Sequence, residues 1–343
     1  MRVIHTHDYP FFAIMGEYMK ERFGSKLVVF SSVLAASVFA LAGVLFVQPY
    51  VFYDLNSASA VAGGAPTASS TVIVSNAAPT VSNVVLNNAT SIVLTANATT
   101  VIRVTADITD NNGCSEITDA TATIMLYRAN ITSSTCRTSA NNQNCYVLTQ
   151  YTATSSCSAS VTVLTTSTFG VYYFAQATDA SSSNSGTNWI ATVIARDTGN
   201  TTGTADSGTS ELLTLTALDV TTSSLNYGTL AASSTTGSTN QNATSTNAGN
   251  SSTTLQLSAN STLTSGSNSI PTSSQRYSTS SFTFQGTSTA LTASPATVSG
   301  FLLTVPTSTT NVARTTFWGL IIPAGTATGT YNGVNLFTSL FQE

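Results

Sequence analysis

The chain has 343 residues, a formal net charge of −4 and only 7% charged residues; its last lysine is Lys26 and its last histidine is His7. Everything past the apolar run that begins at Leu27 therefore lacks the usual imidazole base, the commonest zinc ligand and the Schiff-base amine, which argues against Ser-His-Asp or Ser-Lys catalysis there. Past Ala60 six arginines and ten acidic residues are spread over 283 positions, so no basic stripe exists for nucleic acid.

Residues 1–26 read as a cytoplasmic n-region. A true start at Met19 would leave MKERFGSK directly before the apolar run, a conventional basic n-region. Residues 27–47 carry no charge and are long enough, at about 1.5 Å per helical residue, to cross a bilayer core of about 30 Å. Lys20, Arg22 and Lys26 precede the run and Asp54 follows it, an asymmetry that holds the N-terminus inside and sends the rest outward. Ala58-Ser59-Ala60 supplies a small-x-small cleavage pattern. The segment is thus either a removable signal peptide or a retained transmembrane helix.

Residues 48–78, with Ala-Gly-Gly-Ala-Pro at their centre, read as a flexible linker. Beyond it Ser and Thr fill 104 of the 283 exported positions, and solubility must come from hydroxyls and amides. Short alternating apolar segments recur between turn clusters, without a sustained 3.6-residue period, which predicts an all-β chain with room for two sandwich-sized domains.

The first, 79–218, opens at Ala78-Pro79. Ile102, Val104, Ala106 and Ile108 alternate with Val101, Arg103, Thr105 and Asp107, the period of a strand with one buried face. Further strands are expected near 120–127, 145–153, 157–164, 168–178, 188–197 and 210–218, with Trp189 in the core. The second domain, 219–343, has its own set of core candidates: Phe282, Phe284, Leu302, Leu303, Phe317, Trp318, Ile321, Ile322, Tyr331, Leu336 and Phe337.

Three segments resemble known modules. Trp189 to Asn200, ending in Asp197-Thr-Gly-Asn200, resembles the late strand and D-x-G-N turn of Ig-like domains in prokaryotic surface proteins. Leu225-Asn-Tyr-Gly228, followed by Thr246-Asn-Ala-Gly-Asn250 and the apolar strand at Leu255, is similar to another Ig-like β-sandwich class, in which a short strand precedes an Asn-x-Gly-Asn turn. Phe317 to Pro323 with Gly329 to Gly333 and Phe337 resembles the closing hairpin of secreted surface modules. The resemblance implies two tandem Ig-like β-sandwich domains of the adhesin or surface-layer kind, and brings no active-site residues with it.

Cys114, Cys136, Cys145 and Cys157 lie on the exported side, where an even number favours two disulfides. Three pairings are open. Cys136–Cys145 closing the loop between two strands, with Cys114–Cys157 enclosing it, is favoured over a zinc site because no C-x-x-C spacing is present. Asp107, Asp110, Asn112 and Asp119, around Gly113, are hard oxygen donors of the kind calcium takes. The same Asp-Asn-Asn-Gly run is equally the chemistry of a tight turn.

The carboxylates Asp107, Asp110, Glu116, Asp119, Asp179, Asp197, Asp206, Glu211 and Asp219 could in principle supply a glycosidase pair. Most of them sit at expected turns or strand edges rather than among the aromatic residues a sugar cleft supplies. The expected role is that of a non-catalytic exported protein with a structural or adhesive display function, at the cell surface or released after cleavage near Ala60. Two alternatives stand beside it: a glycan- or protein-binding adhesin module using the 128–157 or 179–188 loops, and a subunit of a surface array or filament. Its partners would be the cell envelope, neighbouring surface proteins or glycans, with membrane contact through 27–47 if that segment is kept.

Overall fold

The computed structural model describes residues 68–343 apart from 118–121, 156, 158–160, 286–287, 311 and 343. The n-region, the apolar run 27–47 and the cleavage pattern at Ala58–Ala60 lie outside the described residues. Among those described, no helix is long and apolar enough to cross a membrane. Ile73–Glu343 forms one compact unit. Of the unit before it, Met1–Val72, the described residues 68–72 are exposed.

The fold is all-β and its sheets are antiparallel. In the first half β1 (Thr80–Leu86), β2 (Thr99–Thr109), β3 (Thr123–Arg128), β4 (Cys145–Leu148), β5 (Thr152–Ala153), β6 (Thr162–Tyr172), β7 (Trp189–Arg196) and β8 (Thr202–Asp206) form two four-stranded sheets, ordered β1-β2-β6-β5 and β4-β3-β7-β8. Ile102, Val104, Ala106 and Ile108 of β2 meet Ile124 and Leu126 of β3 and Trp189, Ala191 and Val193 of β7 in one core between these sheets. Each fully buried aliphatic side chain contributes roughly 1.5–3 kcal/mol.

β3 departs from alternation because it is buried on both faces. Ile124 and Leu126 face the main core, while Met125 and Tyr127 face a second cluster with Cys136 and Cys145. That outer cover comes from residues 129–145, which contain the short helix α1 (Ser133–Thr138), capped by Thr132 accepting a hydrogen bond from Thr135 N. Disulfides join Cys114 to Cys157 and Cys136 to Cys145.

Two expected strands merge, because 157–164 and 168–178 overlap a single eleven-residue β6 paired to β2 along its whole length. The 210–218 segment is mostly not a strand. Its ladder pairing before β9 is limited to isolated bridges, Trp189 to Ser210 and Ile92 to Leu212, and side chains hold the rest. The polar hydroxyls that gave the sequence its low charge serve the sheets as cross-strand ties. Thr109 and Thr162 share a hydrogen bond of 2.7 Å, and Thr165 Oγ1 donates to Ala106 O at 3.1 Å.

In the second half β9 (Leu218–Val220), β10 (Gln241–Asn247), β11 (Ser252–Ala259), β12 (Leu263–Ser265), β13 (Asn268–Ile270), β14 (Gln275–Ser278), β15 (Thr289–Ala290), β16 (Ala296–Leu303), β17 (Ala313–Leu320) and β18 (Asn335–Gln342) follow. They build a five-stranded sheet β15-β14-β17-β10-β9, a three-stranded sheet β16-β11-β18 and the small hairpin β12-β13. Trp318, with Tyr277 at 5.6 Å and Phe337 at 5.7 Å between ring centroids, stands at the centre of the core. Leu255, Leu257, Phe301 and Leu303 pack around it.

Leu302 and Leu336, read from the sequence as core, are 44% and 43% exposed. They occupy the outward parity of β16 and β18, whereas Leu303 and Phe337 point inward. The segments that resemble a closing hairpin belong to different sheets. β17 pairs with β10 and β14, and β18 pairs with β11, so the connection between them crosses from one layer to the other.

Candidate functional site

Three places could carry function: the turn that holds the incoming chain, the seam between the two halves, and an open groove in the second half.

At the far end of the first half, the carboxylate of Asp197 accepts from Thr201 N at 2.8 Å, from Thr201 Oγ1, and from Asn76 Nδ2 at 2.9 Å. The hydrogen bond from the Thr201 hydroxyl, joined by those from Asn76 and the backbone, holds this carboxyl below the usual aspartate range. Asn200 completes the turn with φ of +67°, a conformation that Asn tolerates better than most residues. Asn112 acts beside it: its Oδ1 accepts from Ala77 N at 2.6 Å and its Nδ2 donates to Ser75 O at 3.3 Å. The stretch read as flexible linker therefore ends in a fixed segment, Ser75–Ala77, pinned by the D-x-G-N turn and by Asn112.

Of the four calcium candidates, Asp110 and Asn112 lie together in one turn and Asp107 points away from them. Asp107 and Asp110 lie on opposite faces, since Asp107 is three residues from Asp110 along an extended chain and Asp110 shares the buried parity of Ile108. Asp107 Oδ2 accepts from Asn83 Nδ2 at 2.7 Å, and Asp110 Oδ1 accepts from Asn112 N at 2.9 Å, an Asx turn. Asp119 lies outside the described residues. Among those described, no group of three or more His, Cys, Asp or Glu side chains is placed to hold a metal ion. The second oxygen of Asp110 is buried and has no hydrogen-bond partner among the described residues.

Other carboxylates are used in the same way. Asp179 accepts from Thr214 N at 2.9 Å and from Thr214 Oγ1 at 2.5 Å; Asp206 accepts from Thr192 Oγ1 at 2.5 Å; Asp219 accepts from Asn97 Nδ2 at 3.5 Å. These are bonds to neutral hydroxyls and amides that fix loops to sheets. They do not set two carboxyl groups across a cleft.

The seam is organised by the Asn247-Ala-Gly-Asn250 turn between β10 and β11. Asn250 Nδ2 donates to Ala175 O at 3.0 Å and to Leu213 O at 3.2 Å, while its Oδ1 accepts from Leu215 N at 2.6 Å. Asn247, almost fully buried, ties the turn internally by accepting from Gly249 N at 2.9 Å and donating to Ser251 O at 2.8 Å. At Gly249 a Cβ would collide with the carbonyl of Leu215, so only glycine permits this approach. Asn97 N donates to Ala248 O at 3.0 Å from the other side. The motif that sequence reading treats as a turn is thus the joint between the halves; the signal was two asparagines flanking a glycine, without any hint of a partner.

Beside the seam, Gln143 of the 128–157 loop and Ser181–Asn184 of the 179–188 loop line a cleft of about 300 Å³ with Phe174 and Phe341. Sequence reading offered the two loops as separate binding elements, and the fold brings them to one place.

The groove of the second half is larger, about 1130 Å³, and runs between residues 222–232 and 326–337. Leu225, Tyr227, Leu263, Ile270, Tyr331 and Phe337 supply its apolar lining. At its floor Tyr227 Oη donates to Gln275 Oε1 at 3.2 Å, and Asn335 Nδ2 donates to the same oxygen at 2.9 Å. Burial pushes the Tyr227 hydroxyl well above the usual tyrosine range. Leu225–Gly228, similar in sequence to a short strand, lies outside every sheet and passes along the groove.

No family model matches the chain, and no curated protein matches it. Among solved structures it is similar to dimeric latent PorU from Porphyromonas gingivalis, at 10% identity and a TM-score of 0.22, over 73% of this chain and 24% of that one. It is also similar to Escherichia coli alpha-2-macroglobulin in its native conformation, at 8% identity and a TM-score of 0.23, over 75% of this chain and 16% of that one. The elastase-activated form of the latter gives 9% identity and a TM-score of 0.21, over 77% and 22%. The chain spans about a quarter or less of the length of these structures, and likenesses of this degree carry no argument.

Proposed function

We propose that this chain is a non-catalytic, exported structural and display protein of a cell envelope. In this reading residues 27–47 deliver or anchor it, and two tandem Ig-like β-sandwiches form a stiff spacer beyond the envelope. The observation that carries the proposal is the seam. Asn250, with three hydrogen bonds to backbone of the first half and of the connecting segment, replaces the flexible linker usual between domains. A spacer needs such a joint, while an enzyme with a cleft between domains needs a hinge there.

Two disulfides accord with an oxidising compartment. The supply of Thr hydroxyls and Asn amides as partners for carboxylates suits a chain whose exported part contains no lysine. Antibody labelling of intact cells tests the reading: surface labelling is expected, and a chain reached only after permeabilisation to the cytoplasm would overturn it. Amine-reactive surface labels are unsuited because no lysine follows Lys26.

A second reading, a binding module, is favoured by the cleft that joins the 128–157 and 179–188 loops. Its volume of about 300 Å³ is at the small end for ligand pockets, enough for one or two sugar rings. A glycan screen with the full chain decides it, since saturable binding abolished by substitutions at Asn184 and Gln143 is the expected result.

A further inference from the structure

The free edge of β18 is built unlike the other sheet edges. Among the described edge strands, β5 and β15 are two residues long, β9 three and β4, though uncharged and regular, only four. β1 carries a register break between Ser82 and Val85, and the β11–β16 pairing breaks between Thr254 and Gln256. β8 ends in Asp206. Short length, bulges and charge are the usual means of preventing a sheet edge from pairing with another chain.

β18 has none of these. Its eight residues, NLFTSLFQ, include no charge and no proline, and they pair with β11 in unbroken register from Ser252–Gln342 to Ala259–Asn335. No strand pairs with its other edge among the described residues. Leu336 and Leu340 remain 43% and 44% exposed on its outer face, and the groove of about 1130 Å³ opens along the inner side beside Phe337. An added strand would meet hydrogen-bonding backbone along β18 and, for alternate side chains, the apolar side chains of Leu225, Tyr331 and Phe337 within an otherwise hydroxyl- and amide-rich groove, which is the arrangement strand addition requires.

The chain also carries a segment of matching chemistry. Thr71-Val-Ile-Val-Ser75 is uncharged and β-branched at four successive positions, the composition of a strand. Yet Val72, Ile73 and Val74 are 83%, 89% and 77% exposed. Three consecutive large aliphatic residues in water are unusual for a surface that has no partner.

The segment cannot reach β18 of its own chain. Ser75–Ala77 is pinned at Asn112 and Asp197, past the C-terminal end of β2. The opposite end of β2 adjoins the seam, where Asn97 bonds to Ala248. The eleven residues of β2 separate these points by about 35 Å. β18 lies beyond the seam, with Gln342 paired to Ser252 next to the joint. The two residue steps from Ser75 back to Ile73 extend at most about 7 Å.

We propose that Thr71–Ser75 of one copy pairs as an added strand with the free edge of β18 in a second copy, its alternate side chains seated in the groove. Donor and acceptor occupy different ends of the molecule, so the contact is heterologous and propagates head to tail. The thinly spread net charge of −4 offers little repulsion between copies. This proposal rests on the exported, contact-making reading above and names the partner as the chain itself.

Cross-linking of the full chain tests it. Val74→Cys and Leu336→Cys are prepared separately, mixed, and treated with a short bismaleimide, which tolerates several registers. The expected result is a cross-linked dimer in the mixture and little in either variant alone, with a higher ladder only from the double variant Val74→Cys/Leu336→Cys, which carries a thiol at both donor and acceptor. Ile73→Lys, at a position so exposed that the fold is untouched, should raise the concentration for half-assembly by about tenfold or more, as should Leu340→Lys.

Folded variants that give no mixed cross-link, assembly indifferent to Ile73→Lys, or capture of a different envelope protein in place of a second copy would each overturn strand donation. Surface labelling of intact cells that still detects the monomeric chain would leave the display reading standing in that event.

Discussion

The first half of the molecule is closed and the second is left open, although both enclose a tryptophan with no exposed surface. In the first half, residues 129–145 cover the outer face of β3, two disulfides staple the loops, and β2 and β6 pair over eleven residues. In the second half there is no cysteine, and a groove of mixed polar and apolar lining runs between the β18 edge and the strand-free 222–232 segment. Closure and openness are therefore regional choices made with the same Thr-rich strands. The half that holds the incoming chain is reinforced, and the half beyond the seam presents an edge.

Loss of either tryptophan is expected to have the largest effect. Trp318→Ala should destabilise the chain by about 3–5 kcal/mol, and Trp189→Ala by a similar amount. Each also removes an indole hydrogen bond, to Thr316 Oγ1 and to Gln176 O respectively. Urea unfolding followed by circular dichroism checks this. If the seam couples the halves, either substitution shifts one common transition; two separate transitions would break the coupling.

Reduction of the disulfides sharpens the contrast further. It should cost about 2–4 kcal/mol, and the loss should fall on the reinforced half. Unfolding of Trp189→Phe protein, in which Trp318 is the remaining indole reporter, compares the second half with and without reductant. With the seam intact both reporters should shift together; in the Asn250→Ala background, where the halves unfold separately, a small shift there and a large one in Trp318→Phe protein is the expected result.

Asn250→Ala removes three hydrogen bonds at the seam and leaves three backbone groups to find other partners. A cost of about 1–3 kcal/mol is expected, together with separation of the single transition into two. Small-angle scattering should report a longer, more variable particle.

The smallest effect concerns pH. The Asp197 carboxyl is held below its ordinary range by Thr201, Asn76 and backbone donors. A carboxyl lowered on folding contributes stability that is present above its unfolded value near 3.9 and is lost as pH falls through the lower folded value. Pinning of Ser75–Ala77 should therefore persist at neutral pH and weaken only in strong acid. Protease cleavage near Asn76 measured against pH checks it, and Asn76→Ala should cleave faster at neutral pH already.

Much of the fold was legible because alternation is direct evidence of a half-buried strand. Ile102 to Ile108 display it, and they face the core. β3 was legible as apolar but its two-sided burial was not, because the cover comes from a loop whose packing has no periodic signal. Leu302 and Leu336 misled for the converse reason: composition marks them as core, and only strand parity places them outside. At the candidate sites, Asp107, Asp110 and Asn112 have the residue types of a cation loop, but the backbone from Asp107 to Asp110 is extended and turns these two carboxylates apart, while Asp110 and Asn112 close an Asx turn. Asn250 was visible as a turn residue, and its carbonyl partners, Ala175 and Leu213, lie far from it in sequence.

Neutral donors answering carboxylates have one more consequence. A bond between Asp179 and the Thr214 hydroxyl, or between Asp206 and Thr192, joins no opposite charges, so mobile ions have little attraction to screen. The loops fixed in this way should keep their hold from fresh water to brine.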